Sequence, residues 1–456
     1  MTTVTPTAAP APAPAAGRDP GARQRVQAAS RTTPGRYRLW SLVAAAVLVV
    51  TTVVTTASAA TMRSSTRRAE SNSGPVLVAT QQLVSSLAEA DAAASAAFLS
   101  GRNEDPEQRR LYEQALARAG AQVDDIAALD GRDPSIHTVL GRISVQITQY
   151  AGLVEAARAS NKSGTADANS YLVSAVTLAG QLVSGDVKTL TDSTQSNLGH
   201  DESHRRQGFY VAVLVLVVAL VVLGLGQATL LRTSRRIVNP PLALATVLCV
   251  VALGWLVSAD RSSGRALSSA RAHGYDSIVL TAQLGSAGFG AKASETLAVI
   301  TGDASQRAAA DADAQRVATA PITGAVAGLV RRGQAGGAPG GLLGQAAAAA
   351  DTSRERAAVA EAGVRWQRYE ETVATLRAAP NQAAATAISV GQANSDFNGF
   401  NFSVESILGQ NRGQFLDGLA TAADRTARLP TGVLLLLLAA LGAAFWGFQL
   451  RINDYR

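Results

Sequence analysis

The groups in this chain that could carry chemistry are a histidine pair, a cluster of arginines at a chain reversal, and aromatic side chains at helical spacing. The stretch HDESH, residues 200–204, puts His200 and His204 four residues apart. On a helix that places both on one face, at metal-ligand spacing. Zinc peptidases carry the catalytic Glu directly after the first His; here Asp201 holds that place and Glu202 is one further. A solvated cap beside the apolar run that follows is the simpler reading. A weak metal or pH-sensing site is the sharper one, because His titrates near neutrality. Arg232, Arg235 and Arg236 crowd a short polar turn and could offer basic groups to anionic lipid or to an acidic partner. The simpler reading of that turn is a topology signal. Tyr150, Tyr171, Trp366 and Tyr369 fall on apolar seams, where they could line a ligand pocket or pack a core. Phe397, Phe400 and Phe402 crowd one helix start as a core edge or a docking patch. No nucleophile elbow, Walker loop, dinucleotide fingerprint or kinase signature occurs. No catalytic residue, cofactor site or firm metal site is therefore expected, and the chain reads as a non-enzyme.

What must position these groups follows from composition. The chain has 456 residues, of which 16% are charged, and its mean hydropathy is positive. Four uncharged apolar stretches are long enough to cross about 30 Å of hydrocarbon: 39–62 (apolar over 39–60), 208–231, 241–259 and 431–450. Trp40, Tyr210, Trp255 and Trp446 sit near their ends, as in an interfacial aromatic belt. No acid or base lies within the apolar stretches, which argues against a pump or transporter. The net charge of +7 is concentrated outside the long polar segments. Residues 63–207 hold 14 basic and 17 acidic side chains, so no basic face for nucleic acid is offered there. Cys249 is the single cysteine, which excludes an intrachain disulfide.

Orientation follows from arginine in the short segments. The N-terminal tail carries Arg18, Arg23, Arg25, Arg31, Arg36 and Arg38 against Asp19; the central turn, 232–240, carries three arginines; the tail 451–456 carries Arg451 and Arg456. Four spans put all three on one side, expected to be the cytoplasm. The tail 1–38 is rich in Ala, Pro, Thr and Arg and is expected to be disordered. Ala57-Ser58-Ala59 resembles a small-residue cleavage site. The long basic tail and long apolar run favour an uncleaved anchor instead.

The segments 63–207 and 260–430 are then extracytoplasmic. Both read as helical bundles. Ile136, Leu140, Ile143, Ile147, Tyr150, Val154 and Ala157 alternate spacings of four and three. Val359, Ala362, Trp366, Tyr369, Val373 and Leu376 do the same, as do Val404, Leu408, Asn411, Phe415, Gly418 and Ala422. Such a seam packs one helix against others in a bundle. Turn signals divide the first segment at 101–106, 130–134 and 161–165, giving helices over about 63–100, 106–129, 134–160 and 166–207. The second divides into about 260–301, 304–332, 345–379 and 381–429, with a glycine-rich tip at 333–344. Gly74-Pro75 and Pro321 are expected to kink their helices. RSSTRRA (63–69) and RSSGRAL (261–267) each follow a span, a weak sign of an internal repeat. Small residues at 224–226 and at Ala439, Ala440, Ala443 and Ala444 suit close helix packing in lipid. The expected fold is thus an all-α membrane protein with four transmembrane helices and two extracytoplasmic four-helix bundles, arranged span–bundle–span twice.

YAGLVEAARASNKSGTADANSYLVSAV (150–176), VRWQRYEETVATL (364–376) and SDFNGFNFSVESIL (395–408) resemble an actinobacterial family of four-span membrane sensors (GlnX-like). The resemblance implies two extracytoplasmic helical domains. As partners it implies a solute-binding lipoprotein for glutamine or aspartate and a cytoplasmic Ser/Thr kinase, protein kinase G. The function it implies is relay of amino-acid availability to a separate cytoplasmic protein. Membrane lipids are further partners, and a homodimer is a candidate assembly. The competing reading is a ligand-free structural scaffold of the cell envelope or secretion machinery.

Overall fold

In the computed structural model the described residues are 33–130, 134–234, 240–301, 322 and 341–453. Every regular element among them is helical. They are α1 (Thr33–Arg68), α2 (Gly74–Leu99), α3 (Pro106–Asp130), α4 (Pro134–Ser163), α5 (Ala168–Leu182) and α6 (Lys188–Ser234), then α7 (Pro240–Ser269), α8 (Asp276–Thr301), α9 (Leu342–Ala349), α10 (Ser353–Arg377), α11 (Gln382–Ile388), α12 (Asn394–Ala427) and α13 (Leu429–Asn453). Among the described residues four helices are long and apolar enough to cross a membrane, and the chain is an all-α membrane protein. Residues 1–32 of the tail expected to be disordered, most of the helix expected at 304–332, Pro321 and the glycine-rich stretch up to residue 340 lie outside the described residues, whereas residues 33–38 of that tail are the start of α1.

The contacts divide the chain into two compact units. One comprises Met1–Ala57, Val211–Trp255 and Thr431–Arg456. Within it each apolar helix buries a stripe of small or aliphatic residues at spacings of three and four: Ala212, Leu216, Ala219 and Leu223 on α6, and Leu242, Ala245, Cys249, Ala252 and Leu256 on α7, the last of these just past the unit's edge. Ala440, Ala443 and Ala444 are buried on α13, whereas Ala439 and Gly224 are exposed. The opposite faces leave Val53, Leu214, Val250 and Leu435 more than half exposed. Water would not tolerate that much contiguous apolar surface, and hydrocarbon would. The Gln227 amide donates to the Leu242 carbonyl (3.0 Å) and the Thr246 hydroxyl (2.8 Å), tying α6 to α7 on either side of the central turn.

The other unit comprises Ser58–Tyr210 and Leu256–Pro430, so the two polar segments share one body. Sequence reading treats them as separate bundles. In the structure α2 packs on α8 as well as on α3, and α12 packs on α8, α10 and the turn before α8. One core cluster mixes Ala69, Leu77 and Val78 of the first segment with Tyr275, Ile278, Leu408, Phe415 and Leu419 of the second. The seams read from the sequence are buried, apart from half-buried Ile147 and Gly418. The helix expected over 345–379 is two helices. Thr352 caps α10 by accepting from the Glu355 N–H at 3.1 Å, and Glu355 reaches back to the Asp351 N–H, also at 3.1 Å.

Each of the four long rods carries one π turn: Ala69–Ser73, Val183–Val187, Ala270–Tyr275 and Ser389–Ala393. A π turn inserts one residue into the helical ladder and re-aims the following face by roughly 100°. At the first, the Gly74 N–H bonds to the Ala69 carbonyl and Pro75, which has no N–H to give, follows directly. The anticipated kink is therefore a π turn. The fourth rod is interrupted at Arg428, between α12 and α13, where Pro430 supplies a first-turn residue that needs no donor. The other three rods run through their π turns without such a break.

Gly274 lies against Phe415 so closely that a Cβ there would meet the Phe415 Cα and Cβ at 2.7 Å. Gly409 on α12 has open space. Gly274→Ala should lower the stability of the full chain in detergent by about 1–3 kcal/mol, whereas Gly409→Ala should be neutral or stabilising by up to about 1 kcal/mol. Thermal unfolding of both variants checks the contrast.

Candidate functional site: a cleft between the two helical segments

The alanine- and serine-rich run of α2, LVSSLAEADAAASAAFL, keeps that helix thin. Where it faces α5 and α8 it leaves a cleft of about 350 Å³, within the size range of small-molecule sites. The walls are mainly apolar, with Leu87, Leu172, Val176, Phe289, Leu297 and Ile300 among them. Asp91, Ser95, Ser184, Ser286 and Ser294 supply the polar atoms. Among the described residues Asp91 is the only ionisable side chain on the wall. Removal from water pushes its carboxyl up to about 7, against a smaller opposing pull from the Tyr150 hydroxyl, which donates to it at 3.5 Å. Tyr150 is buried, packs against Tyr112 with ring centroids 6.4 Å apart, and its own hydroxyl is held well above the usual tyrosine range by burial first and then by Asp91.

A second buried polar group sits in the second segment. Lys292 and Glu295 are both almost fully buried and form an ion pair at 2.7 Å. The Lys292 ammonium also donates to the Ser389 carbonyl at 3.2 Å, while the Tyr369 hydroxyl (3.1 Å) and the Ser389 hydroxyl donate to Glu295. Ser389 opens the π turn before α12, so this network pins that turn to α8 and α10. Breaking a buried pair of this kind is costly, but its formation is weak support for stability as such.

The residues singled out from the sequence divide among these environments. Trp366 and Tyr369 are core, within an aromatic cluster that includes Phe400 at 4.9 Å from Trp366 and Phe397 at 5.6 Å from Tyr369. Tyr150 is core and also second to the cleft, through Asp91. Tyr171 belongs to neither group. It is 39% exposed, because the buried face of α5 runs through Ala168, Leu172, Ala175, Ala179 and Leu182, one position round the helix. Phe402 is likewise exposed, unlike Phe397 and Phe400. His200 and His204 are exposed on α6, and among the described residues no group of three or more potential ligands gathers around a metal position. Between them Asp201 faces inward. It accepts from Ser73 at 3.5 Å, lies 3.5 Å from Arg68, and has its carboxyl raised by burial against the pull of those two. Arg232 falls near the end of α6; Arg235 and Arg236 lie outside the described residues. Asp91, Lys292 and Glu295 were missed by sequence reading. The available signal was weak: Asp91 and Glu89 are the only charges in α2, and Glu89, itself partly buried, is taken up by an ion pair with Arg118.

Residues 65–203 match the family model of the actinobacterial sensor domain. The matched stretch contains Asp91, Tyr150 and the α2 and α5 walls of the cleft. No curated protein and no solved structure matches the chain.

The raised Asp91 carboxyl sets a pH dependence. Its folded value is about 7 against an ordinary value of 3.8, so the native state binds the proton more tightly than the unfolded chain does. Stability is greatest below the ordinary value and is lost as the pH rises through 7. Asp91→Asn removes that loss. The variant should gain stability over the parent at pH 8, and the gain should shrink through pH 7 to 4, as read by denaturant unfolding at a series of pH values.

Proposed function

We propose that this chain is a membrane sensor that relays extracytoplasmic amino-acid availability to a cytoplasmic Ser/Thr kinase, with a solute-binding lipoprotein presenting the amino acid. The sensor-domain match over 65–203 supports a sensing role in an actinobacterial setting, and points to a sensor rather than a catalyst. The observation that carries the reading is the joining of the two polar segments into one helical body, three of whose rods continue into apolar, span-length helices as α1, α6 and α7. A shift in one segment is felt by the other through α2 and α8, because close-packed interfaces move as rigid bodies between discrete arrangements.

In this reading the polar body faces outward and the arginine-rich tail and turn face the cytoplasm, as the arginine distribution favours. The amino-acid specificity and the kinase are carried by the sequence resemblance. The basic turn containing Arg232, Arg235 and Arg236 is the contact offered to anionic lipid or to the output protein.

A flexible Gly-Ser-Gly-Ser insert between Gly264 and Arg265 would cut the mechanical continuity of α7 without touching an apolar block. Cells carrying it should lose the change in kinase-substrate phosphorylation on glutamine or aspartate addition, as deletion of the whole chain should. An unchanged response in the deletion strain, together with altered cell shape, would instead identify an envelope scaffold.

A further inference from the structure

We propose that the cleft between α2, α5 and α8 is itself a binding site, for a small organic cation with a primary ammonium head and a short apolar body. The inference draws its purpose from the sensor reading, but its chemistry stands on the cleft alone.

The polar wall is built of acceptors. Asp91 supplies a carboxylate, and among the described residues no basic side chain lines the cleft. The Ser184 hydroxyl donates to the Gly180 carbonyl at 2.8 Å and the Ser294 hydroxyl to the Gly290 carbonyl, also at 2.8 Å. With their protons turned into their own helices, these oxygens present lone pairs. The buried Ser286 hydroxyl beside the wall has no hydrogen-bond partner among the described residues, a deficit that a ligand would remove. An ammonium offers three donors and the charge that Asp91 lacks. The remaining wall is aliphatic, with the Phe289 ring beside it, and suits a hydrocarbon body.

The same inventory selects against other ligands. A free carboxylate on the ligand would find no cation among the described residues of the wall, so glutamate and aspartate fit this cleft badly. Those amino acids would need to be read by a partner, while the cleft reads a different class of molecule. Two wall residues, Val183 and Ser184, open the π turn that precedes α6. A bound ligand thus touches the one irregular turn of that rod, where a change of helical phase is least costly.

The titratable group in contact with Asp91 is Tyr150, from α4; the cleft-facing side chains of α5 and α8 carry no charge. Binding of a cation requires the carboxylate form of Asp91. Affinity should therefore fall about tenfold between pH 8 and pH 6, as a carboxyl that titrates near 7 takes up its proton.

The test is calorimetric titration of the full chain in lipid nanodiscs with 3-methylbutylammonium chloride at pH 8 and pH 6. Saturable one-to-one binding is expected, weakened at least tenfold by Asp91→Asn and by the cleft-filling Ala293→Phe. The neutral isostere 3-methylbutan-1-ol and sodium L-glutamate should each bind at least tenfold more weakly to the parent chain. No saturable amine binding, equal binding of the alcohol, or a pH-independent affinity would overturn the proposal using the parent chain alone, whatever the folding of the variants. Amine binding in a chain whose deletion leaves kinase output unchanged would keep the site and sink the sensor. A preserved amino-acid response without amine binding would do the reverse.

Discussion

The close approach of three rods around Phe415 is the contact on which the polar body depends. Gly74 and Gly274 have no side chain to hold α12 away, and Gly418 on α12 itself brings Ala270 within the same contact, where an added Cβ would sit 2.6 Å from the Ala270 Cβ. A methyl group at Gly274 or Gly418 would meet neighbouring backbone or Cβ atoms and push the rods apart, and one at Gly74 would displace the Leu419 side chain. Because the three glycines come from α2, the turn before α8, and α12, this junction joins the first segment to the second. It is continued by the α2–α8 contact and by Arg205, a buried side chain of α6 that pairs with Asp260 of α7. Two helical segments that arrive through different apolar helices are in this way made into one body.

Joining them creates the environments in which polar groups acquire unusual properties. Asp91 titrates near neutrality because α2 is covered by α5 and α8, and its nearest hydrogen-bond donor is a tyrosine rather than an arginine. Lys292 and Glu295 survive burial because each is supplied with further partners, including the backbone and hydroxyl of Ser389 at a π turn. The π turns themselves recur at similar positions in both segments, one early in the first rod and one in the last. That correspondence strengthens the internal repeat that the short RSST and RSSG matches only hint at.

The sequence was most legible where a single physical variable decides the outcome. The apolar blocks had to be helices, because hydrocarbon leaves the backbone no other partner. The seams at Ile136 to Ala157 and Val359 to Leu376 had to face inward, because spacings of three and four gather apolar residues on one side of a helix. Legibility failed where the outcome depends on two elements distant in the chain. Tyr171 looks like a seam residue, yet the buried face of α5 passes through Leu172, and only the partner helices fix that phase. Asp91 reads as one more surface acid until α8 covers it. The histidines at 200 and 204 drew notice by spacing, while the inward group proved to be Asp201 between them. No local pattern announced that the two segments share a core, since that requires Ala69, Leu77 and Val78 to meet Phe415 and Leu419 from the far end of the chain.

The union of the two segments is tested most directly at the buried contact between the Thr66 and Thr426 hydroxyls, whose oxygens lie 2.7 Å apart on α1 and α12. Thr66→Cys and Thr426→Cys are introduced together in a chain whose Cys249 is replaced by serine. Mild oxidation in native membranes is followed by peptide mass spectrometry. A single body with this register predicts rapid intrachain disulfide formation, because hydroxyl oxygens 2.7 Å apart stand where the two sulfurs would lie. Thiols that stay fully open to alkylation, or that pair only between chains, would contradict it.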